Sequence, residues 1–116
     1  IVIIHLAIHI GGFGLEQRVG GHPFVGNVRG AGLMLAVEYV ADKKSKRFFE
    51  TKTYVHRLVS AKAMELGLMT RPLPYLEANS FSPPLMMKRA EVDEAVALYG
   101  RALDAVTPDM AKAAGA

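Results

Sequence analysis

The sequence predicts an α+β domain: a small antiparallel or mixed sheet with two long helices packed on one face. Three observations lead there. Short apolar stretches of extended character lie between Val25 and Val40 and recur near Leu68 and Phe81. Two longer stretches, about 53–66 and 88–106, repeat their apolar residues at helical spacing. Glycines and prolines stand between these stretches and punctuate them.

Ile1 to Ile10 is almost wholly apolar, interrupted by His5 and His9. Ten residues are too few to span a bilayer, and the segment lacks the basic start of a signal peptide. His5 and His9 share a helical face, yet no third ligand lies nearby, so no metal site is expected. Residues 1–21 therefore read as an irregular or truncated lead-in, with at most a brief helix around Leu15 to Val19. His22-Pro23 starts the domain proper as an extended or turn dipeptide.

Val25 to Arg29 reads as a first strand, Gly30-Ala31-Gly32 as a turn or kink, and Leu33 to Val40 as a second strand. Leu33, Leu35, Val37 and Tyr39 share one face of the second strand, while Met34, Ala36, Glu38 and Val40 share the other. With one charge among eight residues, it is expected to be covered on most of both faces. Thr51 or Thr53 is placed to cap a helix running to about Leu66, with Val55, Val59, Ala63 and Leu66 as its buried stripe. Gly67 ends it in the left-handed conformation. Leu68-Met69-Thr70 restarts as a strand that stops at Arg71-Pro72. Residues 73–80 read as a loop and Phe81-Ser82 as a short strand. The last helix runs from about Lys88 to Val106 and stops before Pro108, with Val92, Val96, Tyr99, Leu103 and Val106 facing the core. Glu91, Asp93 and Glu94 favour its positive N-terminal end. The domain spans 22–108, and 109–116 is expected to fray.

Composition narrows the functional classes. Hydrophobic residues make up 51% of the 116, enough for a core, and charged residues 22%. The absence of cysteine excludes disulfides, thiolate metal sites and cysteine nucleophiles, and is in keeping with a cytoplasmic setting. The net charge of +3 is concentrated in Lys43-Lys44-Ser45-Lys46-Arg47. That run reads as a solvated loop. Without stacking aromatics on adjacent strands it gives no nucleic-acid platform.

Little of the sequence looks catalytic. No serine or histidine sits in a triad or nucleophile-elbow context. Gly30-x-Gly32 leads into a strand, so it lacks the helix N-terminus of a phosphate site. Glu38 reads as a strand-edge charge. Arg71 is the exception: it follows an apolar strand and precedes a proline, where side chains leave the sheet. Its planar fork matches a carboxylate bidentately, although a surface or salt-bridge arginine would look the same.

Four segments, in order, resemble the C-terminal domain of class III aminotransferases, the family of ω-amino-acid and amine transaminases. His22-Pro23-Phe24-Val25-Gly26-Asn27-Val28-Arg29-Gly30-Ala31-Gly32-Leu33-Met34-Leu35 resembles the glycine-containing hairpin, and Val40-Ala41-Asp42-Lys43 the turn after it. Ala63-Met64-Glu65-Leu66-Gly67-Leu68-Met69-Thr70-Arg71-Pro72-Leu73 resembles the helix–strand–arginine–proline segment. Phe81-Ser82-Pro83-Pro84-Leu85, followed by a helix with Glu91, Asp93 and Glu94, resembles the closing element. The resemblance runs from His22 to about Pro108.

It implies the small domain of a fold-type I aminotransferase. In that family a large domain holds pyridoxal 5'-phosphate on a lysine, and the small domain closes over the substrate, an amine or amino acid and a keto acid in turn. Such enzymes are homodimers when full-length. Arg71 matches the arginine that grips the substrate carboxylate and swings aside for amines lacking one. None of Lys43, Lys44, Lys46, Lys52, Lys62, Lys88 or Lys112 resembles the cofactor lysine, so no catalytic or cofactor-binding residue is expected in this chain, nor activity from it alone. Pro74 and Tyr75 stand where the family often has glycine and a polar residue, which stiffens the loop after Arg71. Lys88 replaces a frequent capping threonine. A free-standing, non-catalytic α+β binding or regulatory module is the alternative reading.

Overall fold

The computed structural model describes residues 15–31, 34–50, 53–74, 77–81 and 88–115. The expectations for Ile1 to Ile10, His5, His9 and Ser82 to Leu85 lie outside these residues. A helical segment, α1, occupies 15–19, and its Leu15 and Val19, four apart, are both buried in the main core. The core thus begins ahead of His22, earlier than the resemblance alone implies.

Strands β1 (Val25–Ala31) and β2 (Met34–Tyr39) form an antiparallel hairpin, with a bulge between Val25 and Asn27. The first strand is longer than expected, because Gly30 and Ala31 pair with Leu35 and Met34 instead of turning. Helix α2 (Val55–Glu65) follows, then β3 (Arg71–Pro72), β4 (Ala78–Phe81) and helix α3 (Arg89–Gly115). The four strands are antiparallel in the order β1-β2-β4-β3. This is the predicted α+β arrangement. Leu35, Val37 and Tyr39 are buried on the helix side of β2, whereas Ala36 and Glu38 opposite are only half-buried. That opposite face is nonetheless covered in part, since Val40 is buried and so are Ala78 and Ser80 of β4, which pair with Glu38 and Ala36.

The ends of α2 show how neighbouring elements complete a helix. Of the two threonines placed to cap it, Thr51 lies outside the described residues, and Thr53 Oγ1 donates to Glu50 O at 3.0 Å instead of capping. Tyr54, left-handed at φ 54°, occupies the cap position, with the Arg57 guanidinium 4.3 Å above its ring. The free N–H of the first turn is satisfied from another part of the chain: His56 N donates to the Glu77 carboxylate at 3.0 Å. A carboxylate at this positive helix end is electrostatically favoured. At the other end Gly67 is left-handed at φ 97° as predicted, and Leu68 N donates to Ala63 O and Gly67 N to Met64 O, a Schellman closure. Val55, Val59 and Ala63 are fully buried.

Helix α3 corrects a further expectation. It passes through Pro108 and continues to Gly115, where a stop and a fraying tail were expected. A mid-helix proline costs about 3 kcal/mol through its missing N–H and ring clash. Here three contacts offset it. Met110 is fully buried, which contributes about 1.5–3 kcal/mol, and Ala113 and Ala114 pack against the core. Arg47 reaches the helix end and donates to Ala114 O at 3.0 Å. Pro108 itself is exposed, so water can reach the side of the helix where a bond is lost. Just before it, His22 accepts from Phe24 N through Nδ1 at 3.1 Å and donates from Nε2 to Thr107 Oγ1 at 2.8 Å. Burial holds this histidine below its ordinary range, in keeping with the neutral ring these bonds require.

The basic run is a tight turn closed by the Asp42–Arg47 bridge, its residues 43–47 exposed. Asp42 anchors it, accepting from Lys44 N and from Ser45 Oγ at 2.5 Å, and the Ser45 bond holds its carboxyl below the usual range. Lys43 donates to Gly20 O at 2.6 Å. Two of the four cations, Lys43 and Arg47, thus already serve internal bonds.

Candidate functional site

Arg71 opens β3, the edge strand of the sheet, and is exposed. It pairs with Ser80, which pairs in turn with Ala36, so these side chains share the face turned away from the helices. The following Pro72 has no N–H to give, a loss tolerated on an edge strand. Leu73 N donates to Ala78 O at 3.0 Å and keeps the short pairing closed. Among the described residues Arg71 has no ion pair or side-chain hydrogen bond. Its exposed fork lies at the edge of the sheet.

Behind that rim runs a buried polar network that the sequence reading did not find. Asn79, fully buried on β4, accepts from Tyr39 Oη through Oδ1 at 2.5 Å and donates from Nδ2 to His56 O at 3.1 Å. Because the Tyr39 proton goes to Asn79, the bond between the Tyr39 and Tyr99 hydroxyls must use the Tyr99 proton. Burial pushes both phenols well above the ordinary tyrosine range, so both remain protonated donors. On the strand side, Asn79 Nδ2 also approaches Thr70 Oγ1 at 3.5 Å. Thr70 Oγ1 donates to Ser60 Oγ at 3.1 Å, and Ser60 Oγ donates to the Thr70 carbonyl at 3.3 Å. His56 Nδ1 and Glu77 Oε2 are 2.7 Å apart, and Glu77 O accepts from Tyr39 N. The network ties β2, β4, α2 and α3 together and reaches the residue immediately before Arg71.

Two features conceal it in the sequence. Residues 73–80 were expected to be a loop, because Ala78-Asn79-Ser80 has little strand propensity. Tyr39 and Tyr99 were visible as core positions, but their hydroxyls, which need partners once buried, were the unused signal. Leu68-Met69-Thr70 is coil and only Arg71–Pro72 pairs, so the predicted strand here starts three residues late. Tyr75 lies outside the described residues. Lys88, in place of a capping threonine, still closes the start of α3: its N–H donates to the Glu91 carboxylate at 3.3 Å.

No group of three or more metal-ligating side chains occurs among the described residues, and no described helix is long and apolar enough to cross a membrane. The described lysines do not fit an anchor for a carbonyl cofactor, which calls for a desolvated amine. Lys43, Lys44, Lys46, Lys88 and Lys112 are exposed, and Lys62 is partly exposed and paired with Glu65 at 2.9 Å. Lys52 lies outside the described residues.

No family model matches the chain. Among curated proteins it is 37% identical over 98 residues to the uncharacterized aminotransferase y4uB of Sinorhizobium fredii, covering 84% of this chain and 21% of that protein. It is 41% identical over 93 residues to the diaminobutyrate–2-oxoglutarate transaminase of Halomonas elongata, covering 80% of this chain and 20% of the relative. Among solved structures, it superposes with a TM-score of 0.88 and 36% identity on a protein from the directed evolution of transaminases by ancestral reconstruction, covering 92% of this chain and 23% of that one. The ω-transaminase of Pseudomonas jessenii in complex with PMP gives 0.82 and 33%, over 93% of this chain and 23% of that one. The chain belongs to the aminotransferases, as a small α+β domain of such an enzyme. It spans about a fifth of the length of the curated relatives it matches.

Proposed function

We propose that this chain is the C-terminal, substrate-side domain of a class III transaminase that moves an amino group between an amine or ω-amino acid and a keto acid. In this reading Arg71 binds the substrate carboxylate, and the full-length enzyme is a cytoplasmic homodimer dependent on pyridoxal 5'-phosphate. The observation that carries it is the match to transaminase structures over nine-tenths of the chain, joined to an exposed arginine at the sheet edge that is unpaired among the described residues. When bound, the cofactor supplies the electron sink for amino transfer, and the protein supplies binding, orientation and electrostatics. This domain's share is orientation: a bidentate fork at the sheet edge fixes one end of a carboxylate-bearing substrate. The cofactor and its lysine are assigned to the remaining four-fifths of the enzyme, since the described lysines do not fit that role.

The division of labour is tested by mixing the 116-residue chain with pyridoxal phosphate, reducing with borohydride and mapping the labelled lysines by mass spectrometry. Slow labelling scattered over several lysines is expected. A stoichiometric adduct at a single lysine would put the cofactor chemistry inside this chain and overturn the assignment.

A further inference from the structure

We infer that Ser60 and Thr70 are the positioning residues for Arg71, and so set how strongly the enzyme prefers carboxylate-bearing substrates. The inference rests on the reading of Arg71 as the carboxylate grip.

The two side chains are reciprocally bonded across ten residues of sequence. Thr70 Oγ1 donates to Ser60 Oγ at 3.1 Å, and Ser60 Oγ donates to the Thr70 carbonyl at 3.3 Å. That carbonyl belongs to the peptide unit whose nitrogen is that of Arg71. The Ser60 hydroxyl therefore holds the peptide plane from which the Arg71 side chain departs. Such a hold is needed here because β3 is only two residues long, lies at the sheet edge and contains a proline that cannot donate to the ladder. Ladder bonds alone give it little purchase. The anchor, by contrast, is rigid: Ser60 sits on α2 between fully buried Val59 and the helix end closed at Gly67. Thr70, only 8% exposed, is also approached by the fully buried Asn79 amide at 3.5 Å, the weakest link of the chain. An arginine reaching for a carboxylate through four rotatable bonds gains accuracy only if its backbone origin is fixed, since small misplacements of a binding group are costly.

The test uses Ser60→Ala, which suits a helix at least as well as serine and so should not impair folding. Ser60→Thr retains the hydroxyl. In the 116-residue chain, amide exchange followed by mass spectrometry should show the 71–73 segment opening about 2- to 10-fold faster in Ser60→Ala, the scale of one neutral hydrogen bond, and near normally in Ser60→Thr. In the full-length enzyme, Ser60→Ala should lower kcat/KM for a keto acid, chiefly through KM, and spare a simple amine, while Thr70→Val, which keeps the bond from Ser60 to the Thr70 carbonyl, should do the same to a smaller extent. In an Arg71→Ala background Ser60→Ala should have no further effect on the ratio between the two substrates. Equal losses on both substrates, or an effect of Ser60→Ala that persists without Arg71, would show a merely structural role and overturn the inference. An unchanged ratio in Ser60→Ala alongside a lowered one in Arg71→Ala would overturn it too, while leaving Arg71 as the grip. An unchanged ratio in Arg71→Ala would remove both.

Discussion

Replacing Arg71 by alanine in the full-length enzyme is expected to lower kcat/KM for a keto acid roughly 10- to 100-fold, the equivalent of one charged hydrogen-bonded pair. A simple arylalkyl amine, which never forms that pair, should react nearly as before. Arg71→Lys should recover only part of the loss, because an ammonium cannot present two parallel donors. The comparison is internal to one variant, so a general loss of folding or cofactor lowers both substrates together and is recognised as such. Single-turnover half-reactions keep either from masking the other. Equal losses for the two substrates would mean that Arg71 is a structural residue, as its sequence context alone also allowed.

The second large effect concerns stability. Asn79→Ala removes the acceptor for the Tyr39 hydroxyl and the donor to His56 O, both inside the core. Each buried group left without a partner costs about 1–3 kcal/mol. The sum, about 2–6 kcal/mol, is a large fraction of the stability of a domain this small. The thermal midpoint should fall by about 8 °C or more, at about 4–8 °C per kcal/mol. Tyr99→Phe is the control. It removes one hydroxyl yet leaves Tyr39 paired with Asn79, so a loss near 1 kcal/mol is expected. Denaturant or thermal melts of the chain decide it: equally mild effects for both variants would show that the network is not what holds the sheet to the helices.

The parts of the fold that were legible in the sequence rest on short-range physics. Val55, Val59 and Ala63 recur at helical spacing and are buried. Gly67 ends its helix because the left-handed conformation suits glycine, and the alternation in β2 sets its helix-facing side. What was missed depends on partners distant in sequence. The run of α3 through Pro108 depends on the burial of Met110 and on Arg47, more than sixty residues away. The cap of α2 comes from Glu77, and the pairing of β4 needs Tyr39 beside Asn79. Propensity read along the chain sees none of these. At the candidate site the same division holds: Arg71 was visible as an arginine at a strand exit, whereas Ser60 and Thr70, which hold its backbone, become meaningful only once α2 and β3 are side by side.

The central claim, that this chain serves as the substrate-side domain of a transaminase, is tested most directly by exchange. The segment of the Halomonas elongata diaminobutyrate–2-oxoglutarate transaminase that aligns with this chain is replaced by the chain itself, and amino transfer to 2-oxoglutarate is followed. The chimera should fold, take up its cofactor and transaminate at a rate well above that of the recipient without the segment, and Arg71→Ala should abolish most of that gain. A chimera that folds and holds its cofactor but transfers no amino group, or one indifferent to Arg71→Ala, would contradict the account.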